Sequence, residues 1–477
     1  MLKNNIPIWY IFFLFFDRIY ILGSDYMNDT IAAISTSLGV GAIAIIRVSG
    51  NDSVEIVNKI CKNQNLLEKK SHTINYNHIV ENNRIIDEVL ISIMLAPNTY
   101  TGENVVEINT HGGIATTNKV LEILLSNGCR LAEPGEFTKR AFLNGKKDLI
   151  EAEAVMDLIN SKNEKARKLA INQLNGDTSN LIRKFRKQLV DIIANIEVNI
   201  DYPEYEDIKV LTINDIKKSI KEIEENLAKI LKSSEDTKLI KEGINTLIIG
   251  KPNVGKSSIL NKLLEEDKAI VTDIAGTTRD IVEGNIILDG IQLNIIDTAG
   301  IRETEDIVES IGVKKSLDLV NKSELVLLVL NNNEELSTED KKLLELIKNK
   351  NYLILLNKID LENHLNLDGI DIDKIIRMSA KENIGFIDLK DKIKEMFNLE
   401  QIDQEDLNYL SSARSISILK SCVENLESIK QGLDNNQPID MIEIDIKEIW
   451  NKLGEIIGES YSDELLDQLF SKFCLGK

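Results

Sequence analysis

Thr246-Leu247-Ile248-Ile249-Gly250-Lys251-Pro252-Asn253-Val254-Gly255-Lys256-Ser257 decides the reading of this chain. An apolar strand runs into a glycine-bounded turn and then a helix start, so backbone N–H groups turn in around phosphate while Lys256 reaches the outer oxygens. Val254, Gly255, Lys256, Ser257 and Ser258 are therefore expected to hold the phosphates, with Ser257 ligating a Mg2+ ion that bridges the β- and γ-phosphates. Such a loop recurs by chance, so its weight depends on its partners. They follow in order: Gly276-Thr277-Thr278, Asp297-Thr298-Ala299-Gly300 and Asn357-Lys358-Ile359-Asp360.

Each partner has a physical task. Leu293 to Ile296 reads as a strand that delivers Asp297 to the Mg2+, usually through water, while Gly300 lets a backbone N–H approach the γ-phosphate. Thr272, Thr277 and Thr278 complete the nucleotide contacts. Thr277 or Thr278 offers a hydroxyl to Mg2+, with Thr278 taken as the ligand, whereas Arg279 and Asp280 can equally be structural. Leu325 to Leu330 and Tyr352 to Leu356 read as further buried strands. The second ends at Asn357 and Lys358, then Asp360, whose carboxylate accepts from the guanine N1–H and 2-amino group. Adenine lacks that donor pair, so the nucleotide expected is GTP. Ser379 and Ala380, after the apolar pair Ile375-Ile376, fit the loop that closes over the base. The position after the Asp297 tetrad, where many signalling GTPases carry a water-orienting Gln, is Ile301. Another group must take that part, and Glu309, the last carboxylate of the acidic stretch Arg302 to Glu309, is the nearest plausible one for it; spacing alone leaves it equally a surface charge.

The rest of the chain sets the frame. Its 477 residues suffice for about three domains. A formal charge of -20 argues against broad wrapping of nucleic acid, though not against a local basic patch. Cys61, Cys129, Cys422 and Cys474 show no CxxC and suit a reducing cytoplasm, and His72, His78 and His111 are too scattered for a metal site. The apolar run Ile6 to Phe16 is shorter than the roughly 20 residues that span a bilayer. With no clear cleavage site after it, residues 1–27 read as a leader or an overlong start, and no integral membrane partner is expected.

The fold class expected is multidomain α/β and α+β. Residues 28–145 mix strands, at Gly41 to Val48, Val89 to Leu95 and Val105 to Thr110, with a helix from Asn118 to Ser126. Residues 146–242 are helical, with a stripe at Ala152, Val155, Leu158 and Ile159 and a break at Asp201-Tyr202-Pro203. The nucleotide domain, 243–398, is inserted before a second helical part, 399–477, and both parts can pack as one domain. The charges from Leu211 to Lys241 read as a solvated amphipathic face without a sustained heptad.

Beyond the nucleotide motifs, three blocks stand out. They are Asp29 to Ala33 with Gly41 to Gly50, Gly102-Glu103 with Glu107 and His111-Gly112-Gly113, and Pro134 to Lys146 followed by Asp148-Leu149 and Glu151 to Ala154; the chain closes on Phe473-Cys474-Leu475-Gly476-Lys477. With these, the chain from Asp29 to Lys477 resembles the tRNA uridine-5-carboxymethylaminomethyl modification GTPases, the MnmE/TrmE family. The resemblance implies an N-terminal tetrahydrofolate-binding and dimerisation domain, a discontinuous helical domain and an inserted Ras-like P-loop GTPase domain. It implies hydrolysis of GTP to GDP and phosphate, a homodimer, and a complex with the FAD-dependent MnmG/GidA as a heterotetramer or larger assembly. Together they would place a carboxymethylaminomethyl or aminomethyl group on the wobble uridine of certain tRNAs, using carbon from 5-formyl- or 5,10-methylene-tetrahydrofolate. Residue by residue, it implies Asn253 as a K+ ligand, Glu309 as the catalytic glutamate and Cys474 as a cysteine of the modification reaction. Arg47, Glu107, Lys139 and Arg140 fall in the folate-domain blocks, as pocket residues or as braces. One departure is Thr36-Ser37-Leu38-Gly39-Val40, where the family usually has Thr-Pro-Pro-Gly and an Arg, which would loosen that loop. A ribosome-assembly or signalling GTPase without folate, and a membrane-associated GTPase, are the competing readings.

Overall fold

The computed structural model describes residues 29–201, 213–266, 282–288, 291–296, 313–366, 370–397 and 408–477. The chain divides into two compact units, one of residues 1–156 with 454–477 and one of residues 157–453. The expected leader lies outside the described residues. Among the described residues no helix is long and apolar enough to cross a membrane.

The first unit is built on a six-stranded sheet in the order β3-β4-β5-β2-β1-β6. Its strands are β1 (Ile31–Ile34), β2 (Ile43–Ser49), β3 (Thr73–Glu81), β4 (Arg84–Met94), β5 (Val105–His111) and β6 (Arg130–Leu131). Strand β2 begins two residues later than expected. There the chain passes so close to Gly112 that a Cβ on Gly112 would lie 2.4 Å from the Gly41 carbonyl oxygen. Strand β3 was not foreseen. It is set by a two-residue hairpin at Asn82-Asn83, both with positive φ (49° and 62°), the backbone that twists with its strands. Alternation puts Ile46, Val48, Ile91, Ile93, Val106 and Ile108 on one face, packed against α1 (Ser53–Lys59) and α2 (Ile114–Ser126). Helix α2 starts four residues earlier than expected.

Helix α3 (Glu136–Leu143) starts after Gly135, whose φ of 70° only glycine adopts easily. A Cβ there would meet the Phe470 carbonyl oxygen at 2.7 Å. Helix α4 (Leu149–Asn160) opens on a reciprocal cap, in which Glu151 N–H donates to the Asp148 carboxylate and Asp148 N–H to that of Glu151. The chain's last segment belongs to this unit: Phe470 and Phe473 share a core with Phe142, Leu149 and Ala152.

The second unit carries a sheet in the order β12-β11-β10-β7-β9-β8, parallel except for β8 against β9. Before it come helices α5 (Glu164–Leu174), α6 (Asp177–Asp201) and α7 (Ile213–Glu242). The sheet and its helices are β7 (Ile244–Ile249), α8 (Lys256–Glu266), β8 (Val282–Leu288), β9 (Ile291–Ile296), α9 (Val313–Lys322), β10 (Leu325–Asn331), α10 (Thr338–Ile347), β11 (Tyr352–Asn357), β12 (Ile375–Arg377) and α11 (Phe386–Met396). Leu325, Leu327 and Val329 enter one core and Val326, Leu328 and Leu330 the other, which is why this strand reads as an unbroken apolar run.

Helix α7 is amphipathic, as its charges implied. Ile216, Ile220, Ile223, Leu227 and Ile230 are buried at alternating spacings of four and three, an apolar stripe two heptads long. Helix α7 packs against α12 (Ala413–Asp434), which buries Leu419, Cys422, Leu426, Ile429 and Leu433. The ion pairs Lys217–Asp434 and Lys430–Glu224 show that the two helices run antiparallel. The dense charges belong to the outer face. Helices α13 (Ile439–Ile457) and α14 (Asp463–Phe470) complete the chain.

Candidate functional site

Strand β7 delivers the phosphate loop at its C-terminal edge, the side where parallel sheets hold ligands. Gly250 turns at φ 151°, and a Cβ there would meet the Val329 carbonyl oxygen at 2.5 Å, so the position takes only glycine. Asn253 takes a left-handed φ of 63° and is exposed, and Val254 is buried in the core. The Lys256 ammonium lies on its own loop, donating to the carbonyls of Gly250 at 2.8 Å and Lys251 at 2.7 Å. Burial holds its pKa below the ordinary lysine value. Ser257 and Ser258 are exposed on the first turn of α8.

The base motif ends β11 two strands away. The Asn357 amide donates to the Val254 carbonyl at 2.8 Å and its oxygen accepts from Ala380 N–H at 3.1 Å, tying phosphate loop, base motif and closing loop together. This explains Gly255, since a Cβ there would sit 2.2 Å from the Asn357 amide nitrogen. Lys358 is left-handed at φ 65°. Buried Ser379 donates its hydroxyl to Asp360 Oδ1 at 2.6 Å, which steers the exposed carboxylate and holds its pKa below the usual range. Asn253, Val254, Gly255, Lys256, Asn357, Asp360, Ser379 and Ala380 thus converge on one edge. Thr272, Thr277, Thr278, Asp297, Gly300 and Glu309 lie outside the described residues.

Arg47 and Glu107 meet on β2 and β5, where the register pairs them. The guanidinium Nε and Nη2 both lie 2.9 Å from Glu107 Oε1. Tyr100 and Phe137 flank the guanidinium, each ring centroid 5.6 Å away. The chain's end closes over this pair: Gly476 O accepts from Ser35 Oγ at 3.0 Å and from Arg47 Nη1 at 3.3 Å. Gly476 has φ 85°, and a Cβ would strike the Ile34 carbonyl oxygen at 2.4 Å. Cys474 is exposed, and its carbonyl accepts from Gly135 N–H at 3.3 Å. Sequence reading missed Ser35, Tyr100, Phe137 and the Gly476 carbonyl, none of which has a local signal.

Arg140 does not join Arg47. Its side chain is only 2% exposed and binds Glu103, Glu136 and Asp29, and Arg130 also engages Glu136 and Asp29. Burial pushes Glu136 up, but Arg130, the Glu133 amide and Arg140 outweigh it and hold the carboxyl below its ordinary value. Lys139 pairs with Asp467 on α14 at 2.6 Å. In the departed loop, Leu38 and Val40 are exposed.

A phosphate loop cross-linked to a guanine motif on a parallel sheet defines a P-loop guanine-nucleotide-binding protein. Comparison with known proteins narrows the class. Residues 30–146 match the family described as GTP-binding protein TrmE N-terminus, and residues 149–474 match the MnmE helical domain. The tRNA modification GTPase MnmE of Streptococcus thermophilus (strain CNRZ 1066) is 50% identical over 450 residues, covering 94% of this chain and 98% of that protein. The same named protein of Ligilactobacillus salivarius (strain UCC118) is 50% identical over 455 residues, again 94% and 98%. The chain belongs to the MnmE family of tRNA modification GTPases. Among solved structures, the G domain of the T. maritima FeoB iron transporter is 24% identical over 32% of this chain and 98% of its own, at a TM-score of 0.23.

Proposed function

We propose that this chain hydrolyses GTP to drive modification of C5 of the wobble uridine in certain tRNAs. It would act with a FAD-dependent partner of the MnmG/GidA kind and take the one-carbon unit from a tetrahydrofolate derivative. The observation that carries the folate part is the Arg47–Glu107 pair beneath the chain's own end. A pterin presents a ring N–H beside an amino group, the same donor pair as guanine, and a carboxylate accepts both. Arg47 occupies Glu107 Oε1 and orients it. Arg140 braces this domain from within, and Lys139 would have to leave Asp467 to meet the glutamate tail.

Ser257, Thr278 and Asp297 would hold Mg2+, and K+ would sit beside Asn253, whose side-chain oxygen suits a hard cation. These ions would neutralise charge that develops between the phosphates. Glu309 orients the attacking water, and Cys474 serves the modification step with its exposed thiol. A homodimer through the first unit is supported by the outer face of its sheet, where Ile74, Tyr76 and Leu90 are exposed beside one another. A cytoplasmic setting is supported by four cysteines, none of which forms a disulfide.

Calorimetric titration of the full chain with 5-formyl-tetrahydrofolate tests the reading. Binding is expected, weakened at least about tenfold by Glu107→Gln or Arg47→Met as a charge-assisted contact is lost. An intact chain that binds no folate derivative would overturn the reading and favour a GTPase of the ribosome-assembly or signalling kind.

A further inference from the structure

Lys251, between Gly250 and Pro252, has no part in the phosphate-loop motif, yet its side chain is engaged. Its ammonium lies 3.0 Å from Asp340 Oδ2 and 3.4 Å from Glu334 Oε2. Asp340 is only 2% exposed and is the third residue of α10, where it forms a reciprocal cap with Ser337. The same Oδ2 accepts from Ser337 N–H at 3.0 Å and from its hydroxyl at 2.8 Å. Lys251 therefore fastens the phosphate loop to the first turn of α10.

The loop from β10 to α10 is also tied at its other end. Asn332 N–H donates to the Asn357 carbonyl at 2.9 Å, and its amide donates to the Leu361 carbonyl at 3.3 Å. Asn332 O accepts in turn from His364 N–H at 3.0 Å. One short segment thus touches the phosphate loop through Asp340 and Glu334 and the guanine motif through Asn332. Lys251 has a second duty in its backbone, since its carbonyl is one of the two on which the Lys256 ammonium rests.

We propose that Lys251 is a positioning residue for the nucleotide, and that the segment between β10 and α10 is a strut holding the phosphate and base halves of the site at a fixed spacing. An exposed lysine ion pair alone would contribute little. Here the acceptor is buried and fixed by a helix cap, so losing the cation leaves a desolvated carboxylate beside the loop. A loop held in its binding shape loses less freedom when the nucleotide arrives. Burial pulls the Lys251 pKa down, but the pairs with Asp340 and Glu334 outweigh it and raise the value, so the ammonium stays charged across the neutral range.

The inference rests on the guanine-nucleotide reading of the site. Its test is the dissociation rate of fluorescently labelled GDP from the full chain, measured by stopped flow. Lys251→Met is expected to speed release about tenfold, and Asp340→Asn to do the same, with the double variant no worse than the poorer single one. Lys251→Arg, which keeps the charge and reach, should return the rate to within about twofold of the original. Unchanged release from Lys251→Met, equal defects in the Met and Arg variants, or additive losses in the double variant would overturn the proposal. If Asp340→Asn does not fold because its cap is lost, the Met and Arg pair decides alone. An unaltered chain that binds no labelled GDP would instead sink the guanine reading itself.

Discussion

In the proposed reading Asp360 and Glu107 each meet a heterocycle carrying a ring N–H beside an amino group, but the chain builds the two carboxylates differently. Asp360 stands three residues past Asn357 and is steered by Ser379, 19 positions away. Asn357, bonded to Val254 and Ala380, joins it at the same edge of one sheet. Glu107 is steered by Arg47, 60 positions away, which also reaches the carbonyl of Gly476 at a separation of 429. The first carboxylate is made ready by a local fold, the second only when the chain's end has come back to its beginning. Damage to the second should therefore spare the first.

The largest effect that would break this comparison is on the base. Asp360→Asn replaces an acceptor by a donor facing the guanine 2-amino group, so GTP affinity is expected to fall at least about a hundredfold. Xanthosine triphosphate, which has a carbonyl at that position, should become the better ligand; competition titration reads both. Unchanged preference for guanine would remove Asp360 from the site.

A smaller effect sharpens the other side. Arg140 holds three carboxylates together with only 2% of its side chain exposed. Arg140→Met is expected to cost about 3 kcal/mol, because the largely buried Glu103 loses its cation and Glu136 keeps only Arg130. Calorimetry should show a lowered transition for the first unit while labelled-GDP binding persists. The sign with pH follows from Glu136, whose folded pKa lies below its ordinary 4.5. Its contribution is full above that ordinary value and is lost as pH falls through the lowered one. The variant should show a weaker acid dependence.

What was legible in the sequence follows the same division. Gly250, Lys256, Asn357 and Asp360 were readable because each motif has a chemical reason within a few residues of itself. The buried strands of the second sheet were readable because both their faces are apolar. Strand β3 was missed although Asn82-Asn83 marks its hairpin. Arg47 and Glu107 were named through family resemblance, but their meeting beneath Gly476 has no local trace, and neither has the strut from Lys251 to Asp340. Such contacts are fixed by sheet register and helix placement, which no short window of sequence contains.

The most direct measurement is GTP turnover by the purified chain in K+ against Na+ buffer at matched ionic strength, with ATP as the control. The account predicts release of GDP and phosphate, clearly faster in K+ through a cation beside Asn253, and little turnover of ATP. Equal rates in the two salts would contradict the cation site, and an absence of GTP hydrolysis in both, or ATP consumed as readily as GTP, would contradict the account as a whole.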